Sequence, residues 1–158
     1  MASESISVGD LKIIALTDGS SPEDPAEFFP EQGPEDWKDF PDFIDGSGSF
    51  REEANLGSYL VVSDRLKVLV DTGVGPVAFA PYPEMTGDMV PTMRQQCGYG
   101  PEDVDLVFAT HMHFDHIGWH VTRVGGVPTA TFPNARYVVP KTDWDFILDP
   151  TQIGRAHV

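Results

Sequence analysis

The chain has 158 residues, a formal charge of −15 and a single cysteine. Such acidity excludes a nucleic-acid surface, which needs clustered Lys and Arg, and one cysteine excludes an internal disulfide framework and fits a reducing compartment. The length suffices for one domain with a hydrophobic core, the N-terminus shows no secretory pattern and no apolar run reaches membrane-spanning length, so a soluble, cytoplasmic protein is expected.

Ile6–Val8 and Leu11–Thr17 read as two strands joined at Gly9-Asp10, a hairpin signal. Pro22–Gly48 is expected to be a long irregular segment, acidic over Glu23–Asp45 and carrying Phe28, Phe29, Trp37, Phe40 and Phe43. A loop of this length in a compact domain is often functional. Its aromatics either cover an apolar pocket or pin the loop. Asn55–Val62 and Leu66–Val70 form the next hairpin, turning at Ser63-Asp64-Arg65. Asp71 then stands beside Gly73 at a strand end, either as ordinary turn chemistry or as a hydrogen-bonding support for a site. Val74–Asp88 is a loop with three prolines, and Met89–Cys97 fits a helix stopped by Gly98 and Gly100. Cys97 reads as a core or helix residue.

Leu106–Ala109 is a short apolar strand, and ligand-type residues follow it at once: His111, His113, Asp115 and His116. Alternate strand residues share a face, so His111 and His113 can point the same way. Asp115 and His116 fall where a short helix opens and can turn back to the same hollow. Imidazole and carboxylate are the usual ligands of zinc and similar ions, and two such ions can share one hydroxide. Trp119 reads as core or pocket wall, and His120 as solvated or at a pocket rim. Gly125-Gly126 breaks the chain before Ala135–Val139, a further strand. Thr142 reads as a helix cap with acids in the first turn, and Trp144, Ile147 and Leu148 are expected to face the core.

The run His111-Met112-His113-Phe114-Asp115-His116, the turn Val68-Leu69-Val70-Asp71-Thr72-Gly73 and the lead-in Gly100–Asp105 resemble the metallo-β-lactamase superfamily over roughly residues 5–150. In tone the chain is similar to its N-acyl-homoserine lactonase-like members, partly for Phe114 and Ile117-Gly118-Trp119. The resemblance implies an α/β (α+β) fold, an αββα sandwich of which this chain is the N-terminal half. It implies two divalent ions, zinc first among them, with His111 and His113 on one and Asp115 and His116 on the other. Asp115 would also act catalytically, steering a proton to the leaving group. The implied function is hydrolysis of a lactone or ester, a small-molecule substrate, by activated hydroxide. Thioester, phosphotriester and β-lactam hydrolysis on the same fold are the alternatives, as is a non-catalytic metal-binding module. No nucleic-acid or membrane partner is expected, and oligomeric state is left open.

Residues 1–151 are expected to be the N-terminal part of one such domain. Ile153–Val158 breaks the preceding pattern and matches the translation of a sequencing adapter, so 152–158 is expected to be a non-native tail and His157 no ligand. The later ligands of the family have no counterpart here, so the chain as it stands is expected to be poorly soluble, a weak metal binder and inactive.

Overall fold

The computed structural model describes residues 4–77, 85–149 and 151. The expected tail at 152–158, with His157, lies outside them, as do Pro81 and Pro83 of the proline loop. Contacts divide the chain into two units, 20–55 and the remainder.

Within the smaller unit, the expected irregular segment contains one short helix, α1 (Pro25–Phe28), and a 3-10 turn at Asp36–Asp39. Asp24 caps α1, its side chain accepting from the Ala26 amide at 2.9 Å. Phe29, Trp37 and Phe40 stack edge-on, with centroids 5.4 and 6.4 Å apart. Phe28 and Phe43 stay exposed.

The larger unit is built on a sheet of six strands. β1 (Ser5–Val8) and β2 (Leu11–Ser21) make the expected first hairpin, although β2 continues past Thr17. β3 (Ala54–Val62) and β4 (Lys67–Val70) make the second. Its turn is tied by the Ser63 hydroxyl, which accepts from the Arg65 and Leu66 amides. α2 (Met89–Cys97) follows, and the left-handed Gly98 ends it. Next come β5 (Leu106–Phe108), α3 (Phe114–Ile117), β6 (Val121–Val124), β7 (Val127–Ala130), β8 (Arg136–Val138) and α4 (Lys141–Leu148). The sheet order is β1-β2-β3-β4-β5-β8, with β5 parallel to both β4 and β8. No helix among the described residues is long and apolar enough to cross a membrane.

Strand register separates two faces. Leu60, Leu69, Val107 and Tyr137 pair across four strands, and side chains in register share a face. Ile14, Leu16, Met89, Met93, Trp119 and Phe132 join the first three in one buried cluster. Burying each of these large side chains stabilises by about 1.5–3 kcal/mol. Cys97 borders that cluster, and burial pushes its thiol up. On the other face Tyr59, Val70, Phe108 and Val138 are also in register, but Tyr59, Phe108 and Val138 are exposed. The mixed sheet with α2 against one face is the α/β arrangement that the sequence led us to expect.

Three expectations need correction. Gly125-Gly126 is not merely a break: both glycines have positive φ, 58° and 86°, and they form the tight turn of a β6–β7 hairpin. α4 is not capped by Thr142. It starts at Lys141 after Pro140, where a missing N–H costs nothing because the first helical N–H groups are unpaired anyway. Nor do its apolar residues face the core, since Trp144, Ile147 and Leu148 are 47%, 37% and 58% exposed. The helix is apolar at helical spacing, yet these side chains stay exposed.

Candidate functional site

β5 ends at Phe108, and the chain leaves the sheet carrying Thr110, His111 and His113 before α3 opens. His113 is extended at the head of α3, and Asp115 and His116 sit within its single turn. The four expected residues are brought together. His111 Nε2 lies 3.1 Å from His113 Nδ1. The His111 and His116 rings are 3.9 Å apart between centroids. His116 Nε2 lies 3.3 Å from Asp115 Oδ2. The four form two adjacent pairs. Among the described residues no group of three or more His, Cys, Asp or Glu side chains is placed to hold one metal ion.

Asp71 orders this cluster from the end of β4. Its backbone is left-handed, φ 58°, the one such non-glycine described. That conformation costs roughly 1–3 kcal/mol and turns the carboxylate towards β5. Asp71 Oδ1 accepts from the Thr110 amide at 2.7 Å, and Oδ2 accepts from the Thr110 hydroxyl at 2.8 Å and lies 2.9 Å from His116 Nδ1. The Thr110 hydroxyl in turn lies 3.0 Å from His111 Nδ1. A carboxylate only accepts, so neutral His116 carries its proton on Nδ1. The Thr110 proton is given to Asp71, so its oxygen accepts from His111 Nδ1. Both rings then present Nε2 as a lone pair. The supporting role is therefore the one of the two readings of Asp71 that its geometry carries.

The backbone closes round α3. The Thr72 amide donates to the His116 carbonyl at 2.8 Å, and the Gly118 amide to the Gly73 carbonyl at 2.8 Å. Contact is so tight that a Cβ on Gly118 would lie 2.0 Å from the Val74 carbonyl carbon.

Three supporting residues escaped the sequence reading. Thr110 relays Asp71 to His111. Asp143, read only as a first-turn acid, accepts from the Met112 amide at 2.9 Å and so pins the loop between two histidines. Asp18 is buried and accepts from Trp119 Nε1 at 2.7 Å. Its sequence signal was a polar residue where the strand alternation called for an inward side chain. Trp119 is accordingly core.

Two open hollows flank the donor loop. One, of about 730 Å³, is lined by Met112, His120, Val121, Tyr137, Val138 and Trp144, among others. The other, of about 430 Å³, is lined by Met112, His113 and Phe146, among others. Of the two readings of His120 the pocket rim holds. Among the described residues its buried Nε2 has no hydrogen-bond partner, and burial pushes the ring down to about 4 from 6.5 against the pull of Asp71.

Residues 58–154 match the family described as the metallo-beta-lactamase superfamily. This chain belongs to that superfamily. An N-acyl homoserine lactonase of Bacillus cereus is 35% identical over 74 residues, 38% of this chain and 30% of the lactonase. The solved hydrolase AbOPH of the beta lactamase superfamily is 26% identical, with a TM-score of 0.74 over 98% of this chain and 50% of its own. AidC, a dizinc quorum-quenching lactonase solved with a product, N-hexanoyl-L-homoserine, is 27% identical, with a TM-score of 0.74 over 94% of this chain and 48% of its own. The chain thus spans about half the length of these solved superfamily members and 30% of the curated one.

Proposed function

We propose that this chain carries part of the metal centre of a hydrolase acting on a lactone or ester with a modest acyl chain, with His111 and His113 on one divalent ion and Asp115 and His116 on a second. The observation that carries the reading is the pairing of donors. His116 Nε2 and Asp115 Oδ2 face each other across 3.3 Å. Two ligands at ~2.0–2.1 Å from one tetrahedral zinc sit ~3.3 Å apart, so this donor set fits such an ion. The 3.1 Å pair of His111 and His113 fits equally.

The chemistry that bound ions would supply is a water acidified to a pKa of about 7. The chain's own residues do the rest. Asp71 and Thr110 hold the His116 and His111 rings through their Nδ1 atoms. Asp115 would hold the proton destined for the leaving-group oxygen. Met112 and Phe146 offer apolar surface for an acyl chain beside His113. AidC and the Bacillus lactonase support the lactone over thioester, phosphotriester or β-lactam substrates.

A second reading concerns the chain alone. Two donors per ion are fewer than the three protein ligands of a catalytic zinc. By itself the chain would bind zinc weakly and turn nothing over.

The test has two arms. Zinc titration of the chain, followed by the ring ¹⁵N signals of labelled histidine, should move His111, His113 and His116. A protein extended by its family's later ligands should hydrolyse lactones, and lose that rate in His113→Ala. Histidine signals indifferent to zinc would sink the metal assignment. Activity confined to thioester, phosphotriester or cephalosporin substrates would sink the lactone.

A further inference from the structure

Asp18 is 1% exposed, and among the described residues it has no cationic partner. Its carboxylate is held by N–H donors alone. Oδ1 accepts from the Met89 amide at 2.6 Å and from Trp119 Nε1 at 2.7 Å, and Oδ2 accepts from the Gly75 amide at 3.0 Å. Burial still pushes its carboxyl above the ordinary range. A buried charge is costly unless hydrogen bonds compensate it. What the charge provides here is acceptors on both oxygens. An asparagine has one oxygen and one NH₂, so it would turn a donor towards another donor on one side.

Its partners belong to three separate segments: the Gly73–Gly75 loop, the start of α2, and the residue after the α3 turn. Two of these segments meet at the end of α3. The Gly75 loop lies against Gly118 with no room for a methyl group, and the Trp119 amide donates to the Thr72 carbonyl at 3.3 Å. The other donor pair shares Asp71 but not Asp18: His111 is held by Thr110, and the loop to His113 by Asp143.

We infer that Asp18 is a positioning residue for one donor pair: by locking the Gly75 loop to Trp119 it sets the backbone that carries Asp115 and His116, and leaves His111 and His113 alone. This rests on the metal reading proposed above. It gives the Asp115–His116 pair a support of its own, beside the Asp71 carboxylate that serves both pairs.

The experiment is zinc titration of the full chain, read at the ring nitrogens of His116 and, separately, of His111 and His113. Asp18→Asn should weaken the apparent zinc affinity at His116 about tenfold, the lower end of what loss of an outer hydrogen-bond partner does to a metal site, and by less than about twofold at His111 and His113. Trp119→Phe keeps a ring but removes one donor, and should weaken His116 alone by about threefold, a smaller step on the same scale. Equal losses at both pairs, or no loss at His116 in a folded Asp18→Asn chain, would overturn the inference. If Asp18→Asn does not fold, Trp119→Phe decides: no selective loss there overturns it. Wild-type rings that ignore zinc altogether would overturn the metal reading, and this inference with it. A responsive wild type with unselective variants would overturn this inference only.

Discussion

Asp71 Oδ2 lies 2.9 Å from His116 Nδ1, and the same oxygen takes the Thr110 hydroxyl at 2.8 Å. One carboxylate therefore sets the tautomers of two rings, His116 directly and His111 through Thr110. In Asp71→Asn the backbone is not at issue, because asparagine tolerates the left-handed region. The amide must instead present NH₂ to Thr110 or to His116. Zinc affinity should fall 10–100-fold, and urea unfolding should show a loss of about 1–3 kcal/mol. Unchanged zinc binding would show that the tautomers are set elsewhere.

Gly118→Ala is a steric test of the α3 clamp. Gly118 has φ −58° and ψ −35°, helical angles at which alanine is normally better by about 1 kcal/mol. The added methyl would instead meet the Val74 backbone, and overpacking of this kind costs about 1–3 kcal/mol. Calorimetry should show a lowered Tm. An unchanged or raised Tm would mean that the two segments are not in contact in solution.

His120 makes stability depend on pH in a definite direction. Burial holds its folded pKa at about 4, below the ordinary 6.5. Above 6.5 the ring is neutral in both folded and unfolded chains, and its contribution is fully present. Between 6.5 and about 4 the unfolded chain takes up a proton that the folded chain refuses, so stability is lost as pH falls. The loss should reach roughly 2 kcal/mol after allowance for solvent screening. His120→Phe keeps an aromatic ring beside Tyr137 and should remove that part of the slope. Parallel urea titrations across this window check it, and identical slopes for both proteins would refute it.

Leu148→Gln tests the correction to α4. Leu148 is 58% exposed, and surface substitutions usually stay within about 0.5 kcal/mol. Unfolding free energy should be unchanged and solubility improved. A loss above about 2 kcal/mol, the scale of a core substitution, would put Leu148 in the interior after all.

Where the sequence was informative, the physics was local. His111, His113, Asp115 and His116 are close in the chain, so strand alternation and a helix start suffice to bring them together. The β3–β4 hairpin was legible because its turn chemistry lies in three consecutive residues. The role of Asp18 was not legible beyond its inward place in the strand alternation. Its partners Gly75, Met89 and Trp119 lie 57, 71 and 101 residues away, and nothing at Thr17-Asp18-Gly19 announces them. The β6–β7 hairpin was hidden because Pro128 interrupts an already weak strand pattern. For α4, spacing identified the apolar residues but could not tell whether anything covers them.

The loop bearing the histidines hangs from β5, and its organiser Asp71 hangs from β4, 39 residues earlier than Thr110. The two meet only because those strands run parallel, across a connection that includes α2. Closing so long a span consumes chain entropy before any contact rewards it. A synthetic peptide of the histidine stretch alone would therefore have the right side chains and no fixed shape. During refolding the donor cluster should acquire its form only when the β4–β5 pairing does.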